Sequence, residues 1–188
     1  MLAKGSPQTD PGWINVRLGR NSVSFRMDGQ GRVFVTPTEP LPQYPERLTD
    51  RLIHWASTDP NRVYIAQRDA AGAWQRITYG EALKRARSIA QALLNRGLSV
   101  ERPVAILSGN DLDHAMLALG CLHAGIPYAA ISPSYATLSG DFAKLRYIVD
   151  KLTPGLVFAS DPDIYGAAVD TVLPAGAEIV WSRVAPGR

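Results

Sequence analysis

Residues Pro103–Tyr135 read PVAILSGNDLDHAMLALGCLHAGIPYAAISPSY, and this stretch decides the fold. Val104-Ala105-Ile106-Leu107 is a short apolar run of the length expected for a strand covered on both faces. Ser108-Gly109-Asn110 interrupts it, and Asn110 is a good N-cap for a helix, with Asp111 and Asp113 in the first turn where negative charge suits the helix dipole. From Ala115 to Leu122 nearly every side chain is apolar, so this helix is predicted to be covered on most sides. Gly125 stands where a glycine ends a helix, and Tyr128-Ala129-Ala130-Ile131 resumes extended structure until Ser132-Pro133-Ser134. A strand, helix and strand within about 30 residues form a crossover unit, so the two strands are expected to be parallel.

Downstream the pattern repeats. Ser139 is positioned to cap a helix reaching Leu152, with Phe142, Leu145, Val149 and Leu152 as its buried stripe and Pro154-Gly155 as its stop. Leu156-Val157-Phe158-Ala159 reads as a third buried strand, Asp161 as the cap of a helix to about Val172, and Glu178–Trp181 as a fourth strand. The succession predicts an α/β fold: a doubly wound, mostly parallel sheet with helices on both faces and right-handed crossovers.

Upstream, Arg47–Thr58 reads as a helix with Leu48, Leu52 and Trp55 on one face, closed by Asp59-Pro60. Val63–Gln67 and Ala73–Ile77 are strand-like and joined by Asp69-Ala70-Ala71-Gly72, which suggests a hairpin. Thr78-Tyr79-Gly80-Glu81 has the capping-box pattern. The helix after it carries Ala82, Ala86, Ile89, Ala90, Leu93 and Leu94 as an apolar stripe, shows Lys84, Arg85, Arg87, Gln91 and Asn95 to solvent, and ends at Gly97. Further upstream, alternation begins at Trp13 and runs through Val23, Phe25 and Met27, then Val33 and Val35, around a hairpin loop at Asp28–Gly31. Residues up to Gly12 read as a flexible tail, and Pro37, Pro40, Pro42 and Pro45 mark an extended linker. The expected organisation is therefore an appendage of tail, small N-terminal β-hairpin and linker over 1–45, and an α/β subdomain over 46–188.

Composition narrows the function classes. Twenty basic residues against 17 acidic ones is too even a balance for a nucleic-acid-binding protein. The most apolar region, around Ala115, is interrupted by His114, His123 and Pro127 and is too short for a membrane span, and Met1–Pro11 lacks the apolar core of a signal peptide. The single cysteine, Cys121, sits in the apolar helix and reads as a small buried hydrophobe; with no intrachain disulfide possible, a cytoplasmic setting is expected.

Direct chemical signals are few. The sequence has no G-x-G-x-x-G, no G-x-x-x-x-G-K-[ST], no G-x-S-x-G and no C-x-x-C or H-x-x-x-H, and His54, His114 and His123 are scattered. Ser108-Gly109-Asn110 lies where an open α/β sheet can bind an anion, but it offers one glycine and no lysine, and a plain turn with a helix cap is the favoured reading. The residues alone assign no catalytic, cofactor-binding or metal-binding position.

Two stretches nevertheless resemble a known family. Thr78-Tyr79-Gly80-Glu81-Ala82-Leu83 is similar to the first core motif of the adenylate-forming enzymes (acyl-CoA synthetases, peptide-synthetase adenylation domains and luciferases), and Leu122-His123-Ala124-Gly125-Ile126-Pro127-Tyr128 to the second. The sequence departs from the second motif at Ala130, usually proline, and at Ser132, usually acidic or asparagine. Tyr44–Thr49, Ile106–Asp111, Ser132–Tyr135 and Asp141–Arg146 resemble the feruloyl-CoA synthetase-like branch.

The resemblance implies the N-terminal portion of a ligase that activates an aromatic, hydroxycinnamate-type carboxylic acid as an acyl-adenylate and passes it to coenzyme A. It also implies that ATP, Mg and CoA are bound elsewhere in the complete enzyme, because the family's phosphate loop, adenine segment and C-terminal lysine have no counterpart here. This portion alone is then expected to be inactive and to bind no cofactor. Thr78, Tyr79, Glu81, Ala124 and Gly125 match the motifs in structural roles only. Its partner would be the remainder of the ligase chain, with self-association of the isolated portion through the face left open near Met116–Leu122. The alternative is a stand-alone, non-catalytic α/β module that binds a ligand or partner.

Overall fold

The computed structural model describes residues 22–182. The expected tail up to Gly12, and the start of the alternation at Trp13, lie outside the described residues. The chain divides into two compact units between Tyr44 and Pro45.

In the first unit, β1 (Val23–Met27) and β2 (Val33–Pro37) pair antiparallel, with Phe25 opposite Val35 and Met27 opposite Val33. The turn is closed by Asp28, whose carboxylate accepts the N–H groups of Gln30 and Arg32 and pairs with the Arg32 guanidinium at 2.7 Å. Those contacts, the Arg32 side chain first, hold its carboxyl below the usual carboxylate range. Alternation sorts the hairpin into an exposed apolar face of Val23, Phe25, Met27, Val33 and Val35 and an opposite face where Arg26 stacks over Phe34.

The second unit begins with α1 (Thr49–Thr58), two residues later than the sequence predicts. Leu48 is not on its buried face but is 77% exposed. The Arg47 N–H and guanidinium both bond the Asp50 carboxylate, so Arg47 and Leu48 lie outside the first helical turn. β3 (Val63–Arg68) and β4 (Trp74–Thr78) form an antiparallel hairpin. It leads into α2 (Tyr79–Asn95), where Thr78 Oγ1 accepts the Glu81 N–H at 3.3 Å and Glu81 Oε2 accepts the Thr78 N–H at 2.9 Å, completing the capping box. Gly97, at φ 64°, lets the chain leave α2 in the left-handed conformation.

The main sheet has the order β6-β5-β7-β8, all parallel: β5 (Val104–Leu107), β6 (Tyr128–Ala130), β7 (Leu156–Ala159) and β8 (Glu178–Trp181). Each strand is reached through helices: α3 (Leu112–Ala124) joins β5 to β6, α4 (Ser134–Thr137) and α5 (Ala143–Leu152) join β6 to β7, and α6 (Pro162–Val172) joins β7 to β8. Side-chain alternation splits the core. Ala105, Leu107, Val157 and Ala159 pack with α5 and α6 on one face, and Val104, Ile106, Leu156 and Phe158 pack with α2 and α3 on the other. Only β5 and β7, the two strands read as buried from their apolar runs, are buried at every position; β6 and β8 are edge strands and partly exposed.

Three local readings are corrected. The cap of α3 is Asp111, not Asn110: Asp111 Oδ1 accepts the His114 N–H at 2.7 Å. Ser139 starts no helix; its hydroxyl bonds Asp141, which accepts the Ala143 N–H at 3.1 Å, and α5 follows Phe142 in the left-handed region at φ 52°. Leu94, one residue past Leu93 and so a quarter-turn round α2, is 50% exposed. No described helix is long and apolar enough to cross a membrane.

Candidate functional site

The strand order reverses between β5 and β7: one crossover leaves β5 toward β6, and the next returns to the opposite side of β5. In open α/β sheets the crevice at the carboxyl ends of such strands is where ligands bind. Here it is a cavity of about 420 Å³ between the turn after β5 and the turn after β7, lined by Arg68, Arg85, Asp111, Asp113, Ser160 and Asp161 among others.

The turn Ser108-Gly109-Asn110 is at this position, and its Ser108 hydroxyl and the Gly109 and Asn110 carbonyls are engaged within the protein, while Gly109 and Asn110 are exposed. Ser108, 3% exposed, donates its hydroxyl to the Gly109 carbonyl at 3.0 Å. His114 Nδ1 lies 3.0 Å from the same carbonyl and 3.1 Å from Ser108 Oγ, so its Nδ1-protonated tautomer can donate to it. Gln67, reaching across from β3, accepts the Leu112 N–H at 3.2 Å and donates to the Asn110 carbonyl. The N-terminal amides of α3 and α6 are capped by the carboxylates of Asp111 and Asp161. The crevice thus presents the Arg68 and Arg85 guanidiniums beside the two cap carboxylates, not a ring of free amides.

The remaining sequence candidates are also accounted for. The Cys121 side chain is fully buried, and burial pushes its thiol up to about 12, far from a nucleophile's range. His54 packs edge-on against Trp55. The Nδ1 atom of His123 is buried without a hydrogen-bond partner. Among the described residues no three His, Cys, Asp or Glu side chains come together as a metal site. Gly125 ends α3 at φ 71°, and Thr78 and Glu81 cap α2, so the motif residues act on backbone geometry.

A second feature was not legible in the sequence. An open groove of about 620 Å³ runs beside α2 on the sheet face of β7 and β8. Its floor is Leu156, Phe158, Val180, Met116 and Leu117. One wall is a continuous row on α2, from Glu81 through Lys84, Arg85, Ser88, Ile89, Ala92 and Leu93 to Arg96, at helical spacing along its full length. At one end Arg96 pairs with Glu178 at 2.9 Å, and across the groove Ser182 bonds Asp113, tying the end of β8 to α3. The row has charged residues toward both ends and Ser88, Ile89, Ala92 and Leu93 between them, so no local pattern marks it as a groove wall.

Residues 52–184 match the sequence profile of the AMP-binding enzymes. The chain therefore belongs to the AMP-binding, adenylate-forming enzyme family. It is 30% identical over 164 residues to Disco-interacting protein 2 of Drosophila melanogaster, covering 85% of this chain and 9% of that protein. Among solved structures, ATP-bound MatB from Rhodopseudomonas palustris aligns with a TM-score of 0.56 and 27% identity, over 72% of this chain and 25% of that one. The fatty acyl-adenylate ligase from L. pneumophila, solved with acyl adenylate and pyrophosphate, shares the fold with a TM-score of 0.58 at 22% identity, over 72% of this chain and 23% of that one. The chain thus spans 5–9% of the curated relatives it matches and about a quarter of these structures.

Proposed function

We propose that this chain is the N-terminal part of an ATP-dependent carboxylic acid–CoA ligase acting on an aromatic, hydroxycinnamate-type acid. The observation that carries the reading is the match of 52–184 to the AMP-binding enzymes, joined to a chain that spans about a quarter of the related ligase structures. The aromatic preference rests on the branch resemblance of Tyr44–Thr49, Ile106–Asp111, Ser132–Tyr135 and Asp141–Arg146. ATP, Mg and CoA are assigned to the remainder of the complete enzyme, as the family resemblance implies. The division at 45/46 then separates an N-terminal appendage from the first subdomain, and the protein works in the cytoplasm.

On this reading the 188-residue chain alone gives no acid-dependent ATP–pyrophosphate exchange, while the full-length enzyme does and prefers ferulate to palmitate in kcat/KM. Exchange by the purified chain would sink the fragment reading, and a palmitate preference would sink the aromatic one. The capped, carboxylate-lined crevice at the strand ends favours a second reading for the chain taken alone, a non-catalytic binding module. The coding sequence after Arg188 separates the two: a continuing frame with a phosphate loop supports the ligase, and a stop codon the module. Isolated, the chain also self-associates through the open groove beside Met116 and Leu117.

A further inference from the structure

The hairpin of β1 and β2 is a two-stranded sheet whose residues are all exposed. A lone pair of strands is marginal in water, and a third strand with an apolar face is what ordinarily makes such a sheet hold. The ladder shows which edge is open. The Asp28 N–H donates to the Arg32 carbonyl at 3.0 Å, and the Thr38 N–H to the Ser22 carbonyl at 3.1 Å. Bonded pairs alternate in an antiparallel ladder, so the even-numbered residues of β1 bond β2. Val23, Phe25 and Met27 therefore aim their N–H and carbonyl groups away from β2, toward an edge that no other described strand meets. On β2 the matching outward positions end at Pro37, which has no N–H to offer.

We propose that Ile14–Leu18 of this same chain adds to the free edge of β1 as an antiparallel third strand, with Val16 opposite Phe25. The chain preceding Ser22 enters at this edge, and within it Ile14, Val16 and Leu18 alternate with Asn15 and Arg17. The connection Gly19-Arg20-Asn21-Ser22 has a length common in hairpin loops and carries a glycine and an asparagine, residues suited to turns. It makes Leu18 and Val23 the closing bonded pair.

The same register sets Val16 against Phe25 and Ile14 against Met27. All three apolar pairs then fall on the face that holds Val33 and Val35. On the other face Arg17 meets Ser24 and Asn15 meets Arg26, so no like charges stand opposite. A slip of one residue would carry Asn15 and Arg17 onto the apolar face. A second copy could lay its own β1 on this edge, but the tethered segment competes at a high effective concentration.

The test uses the full 188-residue chain. Amide exchange at Phe25, followed by NMR, is expected to be at least tenfold slower than in Val16→Pro, which removes one of the two bonds of that pair. Arg17→Pro, whose N–H would face solvent, is expected to keep the protection. Cysteine pairs read the register. Opposite residues in a non-bonded pair lie about 4.5 Å apart, within reach of a disulfide, whereas diagonal neighbours at about 7–8 Å are not. With glutathione disulfide as oxidant, Arg17→Cys with Ser24→Cys is expected to close at least tenfold more readily than Asn15→Cys with Ser24→Cys, the buried Cys121 staying apart in both. Exchange at Phe25 that is the same in all three proteins overturns the proposal, as do cysteine pairs that close equally. Protection that grows with protein concentration also overturns it, because a second copy would then hold the edge.

Discussion

Gly120 of α3 rests directly on Ile89 of α2: a Cβ built on Gly120 would stand 2.8 Å from the Ile89 Cβ and closer still to its Cγ2. The two helices pack closely here because one of them has no side chain at the crossing. Gly120→Ala is expected to destabilise the protein by about 1–3 kcal/mol through overpacking, more than any gain in helix propensity returns. Urea titration measures this, and adding Ile89→Ala should restore part of the loss. Additive effects in that double-mutant cycle would show that the contact is not the cause.

Thr153 closes α5 at φ 45° and ψ 53°, a left-handed conformation that a β-branched residue rarely adopts. The sequence suggested that Pro154-Gly155 would end the helix. The ring of Pro154 disfavours right-handed helical backbone at the residue before it, and Thr153 takes the strain. Thr153 is exposed and its hydroxyl bonds only the adjacent Leu152 carbonyl. Thr153→Gly is expected to stabilise by about 0.5–1 kcal/mol, with Thr153→Ala giving no such gain. Thermal unfolding of the three proteins decides it.

These two positions show where sequence and structure part. The strands after Pro103 and Pro154 were legible because VAIL and LVFA are uninterrupted apolar runs, and both are buried along their whole length. That Tyr128–Ala130 and Glu178–Trp181 are edges was not, since strand order depends on which way each crossover turns. Asn110 and Asp111 are equally good caps by type. The choice is influenced from 43 and 45 residues away, by the Gln67 amide holding the Asn110 carbonyl and Leu112 N–H. The groove needs α2, α3 and β8 in register, and no local pattern encodes that.

The capping box makes a pH prediction. The Thr78 N–H, and then its hydroxyl, hold the Glu81 carboxyl below its usual value of 4.5. A carboxyl lowered in the folded state contributes stability that is present above its unfolded value and lost as pH falls through the folded one. Glu81→Gln should therefore flatten the stability profile below about pH 4.5 and leave its shape at neutral pH unchanged. Chemical denaturation at a series of pH values tests this, and an unaltered acid limb would count against it. Thr78→Ala removes the other half of the box and should cost about 1 kcal/mol.

Cys121 gives a direct probe of core integrity. Its side chain is fully buried and burial pushes the thiol up to about 12. The native protein should resist iodoacetamide at pH 8 and react stoichiometrically once unfolded in urea. Rapid native labelling would mean that α3 opens from the sheet far more readily than its packing on Val104, Ile106 and Leu156 implies.

The open groove gives the last prediction, through the salt dependence of self-association. Its floor is apolar, so two copies gain by covering it, and that gain is little affected by added salt. Its rim carries Lys84 and Arg85, so the same two copies bring like charges together at low ionic strength. Raising the ionic strength shortens the screening length from about 30 Å at 0.01 M to about 10 Å at 0.1 M and removes much of that repulsion. Sedimentation equilibrium of the 188-residue chain should therefore show self-association that tightens as salt is added, opposite to the behaviour of an ion-paired interface. Lys84→Gln with Arg85→Gln should tighten it at low salt and abolish the salt dependence, and Val180→Asp should weaken it at every salt concentration. The exposed hairpin face around Phe25 and Val35 is a separate apolar surface, and association that survives Val180→Asp but disappears in a Phe25→Ser variant would locate the contact there instead. A strictly monomeric chain that leaves the fluorescence of a hydrophobic dye unchanged would mean that the groove needs no partner, and the stand-alone module would then be the better reading.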